Sequence, residues 1–583
     1  PYDRSIWNGV FPQHVGARWK YQAYDNLQNF FVDGAQQNTS IGINANVGAT
    51  SIKANYGWTS DKGYVPFNEY KKHNFSVGAS TQLANGLKIN ASFNYIESDA
   101  VKPPVNPSRN SNATNVSLFG NVMYTPRSWN LFGMEYERPD TKGSVYYRSN
   151  NGMQHPLWTL NHTRDRDDVN RFIGNVTLSY EIADFLNLTY RIGLDRTNML
   201  NNYMINKNGV QGYAVLGAYH TSNRNNINYD QVVNLNGSVE LSEDLDFDFL
   251  VGGNLQSRNY ELSQIYSSDM FIFNFFDHSN FTVTNANTYV LRENTYGAYA
   301  NLSLGYKDWG FLTASARNDW TSTLEEANRS FLYPSVSLSV LPLDALSISN
   351  QNLNFLKVRF GFGTSAGYPP PYSTRGSLAT STNVFKTGGG TTLNSNAVSN
   401  FYANPDLTPE YAYNGEMSIT KKWDKLQVTT NGYYTLLKDA IVKQDLGYSQ
   451  IHEYEEVNVQ TLMNSPEAYI YGWSFGTKTK LLSWLTTENS YTWQLGYDVT
   501  NDEPLGHIPP AFGKSLFKIK TGKLEYKLWG IYTNWKYIED MNSSGVDNDE
   551  LGTDEGYPSW WTLNTSVQYK LNDNLKLQLG VEN

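Results

Sequence analysis

Apolar and polar residues alternate with a period of two along this chain, in segments of about ten residues joined alternately by tight turns and long connections. Side chains on a strand point to opposite faces, so such a segment has one apolar and one polar face. Ile41, Ile43, Ala45, Val47 and Ala49 alternate with Ser40, Gly42, Asn44, Asn46 and Gly48, and after a turn Ile52, Ala54, Tyr56 and Trp58 alternate with Ser51, Lys53, Asn55 and Gly57. Asn85-Gly86 separates two further segments, and this dipeptide tolerates the positive φ of a tight hairpin. The same grammar recurs at Asp184, Glu243-Asp244, Lys307-Asp308, Asp424-Lys425, Ser483, Gly522 and Asn572-Asp573. A soluble sandwich also has one dry and one wet face, but it does not hold a strict short/long rhythm over so many segments. The pattern predicts an all-β chain: a large antiparallel transmembrane β-barrel with short turns at the periplasmic end and long extracellular loops.

On that reading strands fall near 41–49, 52–58, 75–83, 87–95, 172–182, 186–194, 233–241, 245–255, 296–306, 310–318, 334–341, 355–363, 411–422, 426–437, 470–481, 485–496, 513–521, 524–535, 560–570 and 575–583. The first runs down into a short turn and the last runs up out of one. An upward strand should therefore precede the set and a downward strand should follow it. Twenty visible strands and two more make a barrel of about 22, a width at which lumens are plugged. The long connections span 59–74, 97–171, 196–231, 257–294, 319–333, 364–410, 438–468, 497–512 and 536–559, lengths that usually mean function. On the short side only 341–354 is longer than expected.

A soluble chain of 583 residues should divide into several domains, yet no linker, low-complexity tract or sustained helical period interrupts this one. The expectation is a single barrel domain over 1–583. Mean hydropathy is −0.52 and no apolar run of about 20 residues could cross a bilayer as a helix, but barrel strands are only half apolar. The 42 Tyr and 15 Trp suit a lipid–water interface, where a ring with a polar edge is at home. Zero cysteines exclude disulfides, thiolate metal sites and cysteine nucleophiles. A net charge of −10 disfavours nucleic acid as a partner. No signal peptide is visible and the chain opens in what reads as a loop, so a longer precursor is expected.

Chemistry-bearing patterns mostly dissolve on inspection. Gly363-Thr364-Ser365-Ala366-Gly367 matches a nucleophile elbow, but that motif needs a following helix and Tyr368-Pro369-Pro370-Pro371 comes next. The eight His are scattered with no ligand spacing. Asp547, Asp549, Glu550, Asp554 and Glu555 form an acidic loop without EF-hand spacing, for which a solvated surface is the plainer reading than calcium. No cofactor is implied. Aromatics in the long loops are the better candidates, because a ring face can stack on a sugar or hold a peptide side chain. Trp158, Tyr213, Phe273, Tyr368, Tyr372 and Trp560 are the candidate substrate contacts, against the alternative that they pack loops or belong to the interfacial girdle.

Several stretches resemble the barrel of SusC/RagA-type TonB-dependent transporters of Bacteroidetes outer membranes. They are Tyr70-Lys71-Lys72-His73-Asn74-Phe75-Ser76-Val77, Pro156-Leu157-Trp158-Thr159-Leu160, Ala316-Arg317-Asn318-Asp319-Trp320-Thr321-Ser322-Thr323-Leu324, Phe331-Leu332-Tyr333-Pro334-Ser335-Val336-Ser337, Leu356-Lys357-Val358-Arg359-Phe360-Gly361 and Asn404-Pro405-Asp406-Leu407-Thr408-Pro409-Glu410. In this order the Arg-Asn-Asp-Trp, Tyr-Pro-Ser and Asn-Pro-Asp-Leu-x-Pro-Glu elements are specific together. The resemblance implies a 22-stranded barrel, an N-terminal plug, a TonB box and a SusD-like surface lipoprotein as lid. It also implies import of oligosaccharides or peptides driven through TonB of the inner-membrane motor, and it allows a dimer of transporter–lipoprotein pairs. No plug, TonB box or final strand is visible in this chain. The expected function is thus active import across the outer membrane. Its rivals are a passive porin, a membrane enzyme (which needs a catalytic cluster) and a soluble glycan-binding protein.

Overall fold

The computed structural model describes residues 10–18, 20–103, 118–123, 125–145, 154–210, 212–348, 353–376, 378–386, 392–398, 401–452, 455–542, 555–572 and 575–582. Among these residues, twenty-two strands belong to one sheet. Two of them, Phe401–Tyr402 and Glu503–Pro504, are two residues long, which leaves the twenty strands read from the sequence.

Agreement at the turn ends is close. The expected pairs 186–194 and 245–255 begin where the strands Leu186–Ile205 and Leu245–Met270 begin. The other ends differ. The segment expected at 172–182 is the strand Thr163–Ala183, 296–306 is Phe281–Tyr306, 426–437 is Leu426–His452 and 470–481 is Glu455–Leu482. Much of the sequence read as loop in 97–171, 196–231, 257–294 and 438–468 therefore continues the strands. A strand needs only about 9–11 residues to cross a membrane, and these have 21 to 28. Beyond an apolar band both faces meet water, so nothing demands alternation there. Asp165-Arg166-Asp167-Asp168, inside a strand, is such a stretch. The connection 341–354 carries a short helix, Pro342–Ala345. The three-glycine run 388–390 and the acidic residues 547–554 lie outside the described residues.

The chain comprises two compact units. The first contains Pro1–Glu181, Thr189–Val232 and Gln256–Arg292; the second contains Ile182–Leu188, Val233–Leu255 and Glu293–Asn583. In the first, the register sets Ile43, Ala54, Val77, Phe93 and Gly174 opposite one another on five successive strands. One residue along, Asn44, Lys53, Gly78, Ser92 and Asn175 form the polar row. Asn175 Nδ2 donates to Ser92 Oγ across it at 2.7 Å. Gly174 leaves room for Phe93 and Phe172, whose rings stack at 6.1 Å. The hairpin at Asn85-Gly86 has Gly86 at φ +88°, and Asn85 Oδ1 accepts the Leu87 N–H at 3.2 Å.

In the second unit the apolar row is Leu304, Leu312, Leu338, Phe360, Met417, Gly432, Trp473 and Trp493. Its polar neighbour is Ser303, Thr313, Ser337, Gly361, Glu416, Tyr433, Gly472 and Gln494. The large apolar side chains are exposed: Leu338, Phe360 and Trp473 are each more than 40% accessible. A continuous exposed apolar face is what water would penalise and lipid would not. On the same face Tyr434, Tyr469 and Tyr497 stack in sequence, at 6.1 and 5.8 Å, as an interfacial aromatic girdle does.

Candidate functional site

Three sequence elements singled out above come together at the loop end of the second unit. Arg317, on the polar face of the strand Gly310–Thr321, donates through Nε to the Tyr333 hydroxyl at 2.7 Å and through Nη2 to Asn254 Oδ1 at 2.6 Å. It also pairs with Asp319 at 2.8 Å, and the Tyr333 hydroxyl donates to that carboxylate. The guanidinium lies 5.1 Å from the centre of the Tyr299 ring, whose hydroxyl donates to Asn234. Gly297 is required here, because a Cβ would strike Arg317, Asn254 and Asp319. The Arg-Asn-Asp-Trp and Tyr-Pro-Ser elements are therefore two halves of one polar network, since Arg317 faces Tyr333 in the register. Pro334 fits inside its strand because the ladder to the next strand begins only at Ser335.

The loops above this network lock onto one another. Glu325 accepts from Arg375 at 2.9 and 3.1 Å and from Thr374 Oγ1 at 2.9 Å. The Arg375 guanidinium holds the Glu325 carboxyl below its ordinary range. Asn328 donates to the Leu407 carbonyl at 3.1 Å, and Asn404 N donates to the Ser373 carbonyl at 3.0 Å. Within Asn-Pro-Asp-Leu-x-Pro-Glu, Asn404 Oδ1 accepts the Asp406 N–H while its Nδ2 donates to the Leu462 carbonyl, both at 3.0 Å. Leu407 is fully buried and Glu410 Oε2 accepts the Ile441 N–H at 3.0 Å. This motif is a clamp that fastens its own loop to the loop carrying Asn328 and to the strands carrying Ile441 and Leu462.

The first unit carries a cap of three short helices, α1 (Asn26–Phe30), α2 (Leu118–Met123) and α3 (Pro156–His162). Phe30, Val65, Leu118, Val122 and Leu160 bury one apolar cluster; Trp158, Ile205, Ala214 and Ala218 bury a second. Asn26 ties α1 to the loop beyond α2, donating to the Trp129 carbonyl at 2.8 Å and accepting the Leu131 N–H at 3.1 Å. α3 starts with Pro156, whose missing N–H costs nothing there, and with His155 Nδ1 accepting the Leu157 N–H at 3.2 Å. Burial pushes the His155 imidazole down to about 3. The His162 ring packs tilted against Trp158, centres 4.7 Å apart, and approaches Glu137 Oε2 at 2.5 Å, and its own burial lowers its pKa against the pull of that carboxylate.

The six candidate aromatics are not brought to one place. Trp158 is completely buried and donates through Nε1 to the Lys142 carbonyl at 2.9 Å. Phe273 packs on His162 at 5.5 Å and Tyr213 on His220 at 5.4 Å, both half-buried in the first unit. In the second unit Tyr368 is half-buried, its hydroxyl 3.1 Å from Thr295 Oγ1. Tyr372 is exposed and takes a left-handed φ of +69° just inside the clamp. Trp560 is exposed on the polar face opposite Thr533, while its neighbour Trp561 takes the apolar face. Ser365 of the elbow-like motif sits inside the strand Phe355–Gly367, opposite Ala412. Among the described residues no group of three or more His, Asp or Glu could hold a metal ion.

The long-loop aromatics do not mark the best-organised polar groups, Arg317, Asp319 and Tyr333, which sit in strands. The signal was present in their recurrence at even spacing on the face shared with Ser315.

The β-barrel model of the TonB dependent receptor-like family matches residues 134–583. The TonB-dependent receptor SusC of Bacteroides thetaiotaomicron is 23% identical over 537 residues, which is 86% of this chain and 49% of that protein. The chain thus spans about half the length of that curated relative. The RagAB peptide transporter superposes with a TM-score of 0.75 at 13% identity over 96% of this chain and 74% of its own. The siderophore receptor PirA from Pseudomonas aeruginosa gives 0.55 at 13% identity over 94% and 74%. At such identities the likeness is one of fold, and it agrees with the two-faced sheet and its motif-built loops. This chain belongs to the TonB dependent receptor-like β-barrel family, and its strands are the wall of a transmembrane β-barrel.

Proposed function

We propose that the intact protein is an outer-membrane importer of a bulky nutrient, an oligosaccharide or a peptide, energised through TonB and covered by a SusD-like surface lipoprotein. The observation that carries this reading is the pairing of an apolar outer row with a polar row of Ser, Thr, Gln and Tyr, beneath loops locked by the 404–410 clamp. Hydroxyl and amide groups both donate and accept, which suits solutes rich in the same groups. The RagAB peptide transporter supports the peptide class by similarity, and the oligosaccharide class rests on the sequence resemblance to SusC/RagA-type barrels. On this reading the substrate settles among polar groups of the lumen face and exposed aromatics, of which Tyr372 and Trp560 in the second unit are the best placed. The far ends of the long strands and the loops that join them lie outside the cell, and the turns at Asn85-Gly86 and Glu243-Asp244 lie in the periplasm. On the same reading residues 1–583 belong to a single barrel domain.

Growth of a strain carrying the full gene on single complex nutrients tests the proposal. One nutrient should require the gene, a functional TonB and the lipoprotein together. Uptake that persists without TonB would convert the reading to a passive porin.

A further inference from the structure

The hairpin of Phe281–Tyr306 and Gly310–Thr321 carries its own depth scale on the apolar face. Near the turn, Tyr306 meets Trp309 edge-on at 5.3 Å, and Lys307 Nζ lies 5.4 Å from the centre of the Tyr306 ring. At the other end Tyr296 stands opposite Trp320, and both rings are exposed. Between the two ring pairs the same row runs through Leu304, Leu302, Ala300, Leu312 and Ala314. Ten residues separate Tyr296 from Tyr306. At about 3.3 Å per residue and a tilt of about 45°, the two stand about 23 Å apart along the membrane normal, which matches an apolar band of about 25 Å. Tyr296 and Trp320 therefore sit where acyl chains give way to headgroups.

A cavity of about 390 Å³ opens at that depth, lined by Tyr296, Trp320, Thr321, Ser322 and Arg329. Its walls are pinned. The Ser322 N–H donates to the Asn294 carbonyl at 2.9 Å, and Ser322 Oγ accepts the Asn294 N–H at 2.9 Å. The Thr321 N–H donates to the Arg329 carbonyl at 3.0 Å, which fixes the backbone that carries the guanidinium. Arg329 itself is exposed. Among the described residues the carboxylate in reach of it is Glu326, at 3.3 Å through one oxygen and with a side chain 87% exposed. A pair so open to water is weak and leaves the guanidinium fork free for a better partner. Glu325, the other acid of this loop, is taken by Arg375.

A cavity on the lumen face would hold a solute. This one lies on the face that meets lipid, so what fills it belongs to the membrane. Two rings with polar edges, two hydroxyl side chains and a cation suit a headgroup rather than an acyl chain. Arginine takes phosphate through two parallel N–H bonds, and phenol and indole rings rest against a sugar or glycerol unit. We propose that this cavity binds the phosphate-bearing headgroup of an outer-leaflet lipid. The phosphate lies on Arg329, the sugar or glycerol rests on Trp320 and Tyr296, and the acyl chains run down the Leu302 and Leu312 row. The bound lipid ties the loop 322–329 to the plane of the membrane. Asn328 joins that loop to the 404–410 clamp, so the lipid anchors the clamp as well. The choice of the outer leaflet rests on the orientation proposed above.

The test uses the full-length protein, purified from outer membranes in a maltoside detergent and washed free of lipid. Native mass spectrometry then counts bound monophosphoryl lipid A, or the same lipid with its phosphate removed. Wild type should bind one phosphorylated lipid at least tenfold more tightly than the dephosphorylated form. Arg329→Gln should abolish that preference. Lys478→Gln, which removes an exposed cation on the polar face, should keep it. Heat-modifiable migration reports that each variant has folded. Arg329→Lys, which keeps the charge but not the fork, serves if Arg329→Gln does not fold, and it should lose several-fold. Equal binding of the two lipids by wild type overturns the assignment, and so does an equal loss in the Arg329 and Lys478 variants. Orientation is read separately, by antibody access to the loops on intact cells, and a reversed barrel would overturn the outer-leaflet assignment while leaving the binding in detergent unchanged.

Discussion

His155 shows how one buried side chain can set the pH range in which a cap of short helices stays folded. Its Nδ1 must be unprotonated to accept the Leu157 N–H and cap α3, and burial holds its pKa near 3 against about 6.5 in an unfolded chain. Above pH 6.5 it is neutral in both states and the cap has its full stability. Between 6.5 and 3 the unfolded form takes up a proton that the folded form refuses, so stability falls as pH drops. His162, depressed by burial, adds in the same direction. Limited proteolysis of the 118–162 region should therefore accelerate several-fold from pH 7 to pH 4.5, while the strands stay resistant. An unchanged rate would mean that these imidazoles do not govern the cap. Trp158 gives a companion test. Its burial predicts that Trp158→Ala weakens the cap by about 3–5 kcal/mol in denaturant titration, with substrate affinity unchanged in molecules that remain folded. Tyr372→Ala should do the reverse, lowering affinity by about 1 kcal/mol or more in calorimetry without loss of stability.

At the scale of the strand, register decides everything, because a slip by one residue exchanges the two faces. Leu302 stands in an apolar row with Ala314, Val336 and Phe362. Leu302→Arg should cost about 2–4 kcal/mol in bilayer refolding titrations, and Ser303→Arg one residue along should cost far less. Spin labels at Ile41, Val47, Phe93, Leu178, Leu188 and Leu577 should be reached by oxygen, and labels at Asn44, Lys53, Asn90, Asn175, Arg191 and Asn236 by a polar relaxant. Mixed accessibilities would show the register to be wrong. The alternation that makes this prediction was legible from residues alone. Strand length was not: Asp165-Arg166-Asp167-Asp168 is read as loop by any rule that looks for a period of two, yet cross-strand pairing holds it extended, with Lys102 at 2.8 Å from Asp167.

At the scale of the whole molecule, a wall of some twenty strands encloses more space than its own side chains fill. Folded in a planar bilayer without any upstream segment, this chain should pass a large, poorly selective ohmic current. Electrical silence would mean that the loops alone close the lumen, and displacement of a plug would lose its physical basis. An epitope inserted between Gly389 and Gly390 should be reached by antibody on intact cells. Labelling only after rupture of the outer membrane would reverse the orientation.

The sequence by itself determined the fold class, the strand count, the turns and the two faces, because each follows from near-neighbour chemistry: a period of two, a dipeptide such as Asn85-Gly86, an interfacial ring. It also marked the Arg-Asn-Asp-Trp, Tyr-Pro-Ser and Asn-Pro-Asp-Leu-x-Pro-Glu elements without saying what they do. Only the tertiary structure decided that. Arg317 meets Asn254 across 63 residues of sequence, Asn404 reaches Leu462 across 58, and the room for Arg317 is made by a glycine 20 positions earlier, Gly297. It also decided that Trp158 points into a core and Phe271 out of one. Both are loop aromatics to a reader of sequence, and which way a ring turns depends on what distant chain has closed over it.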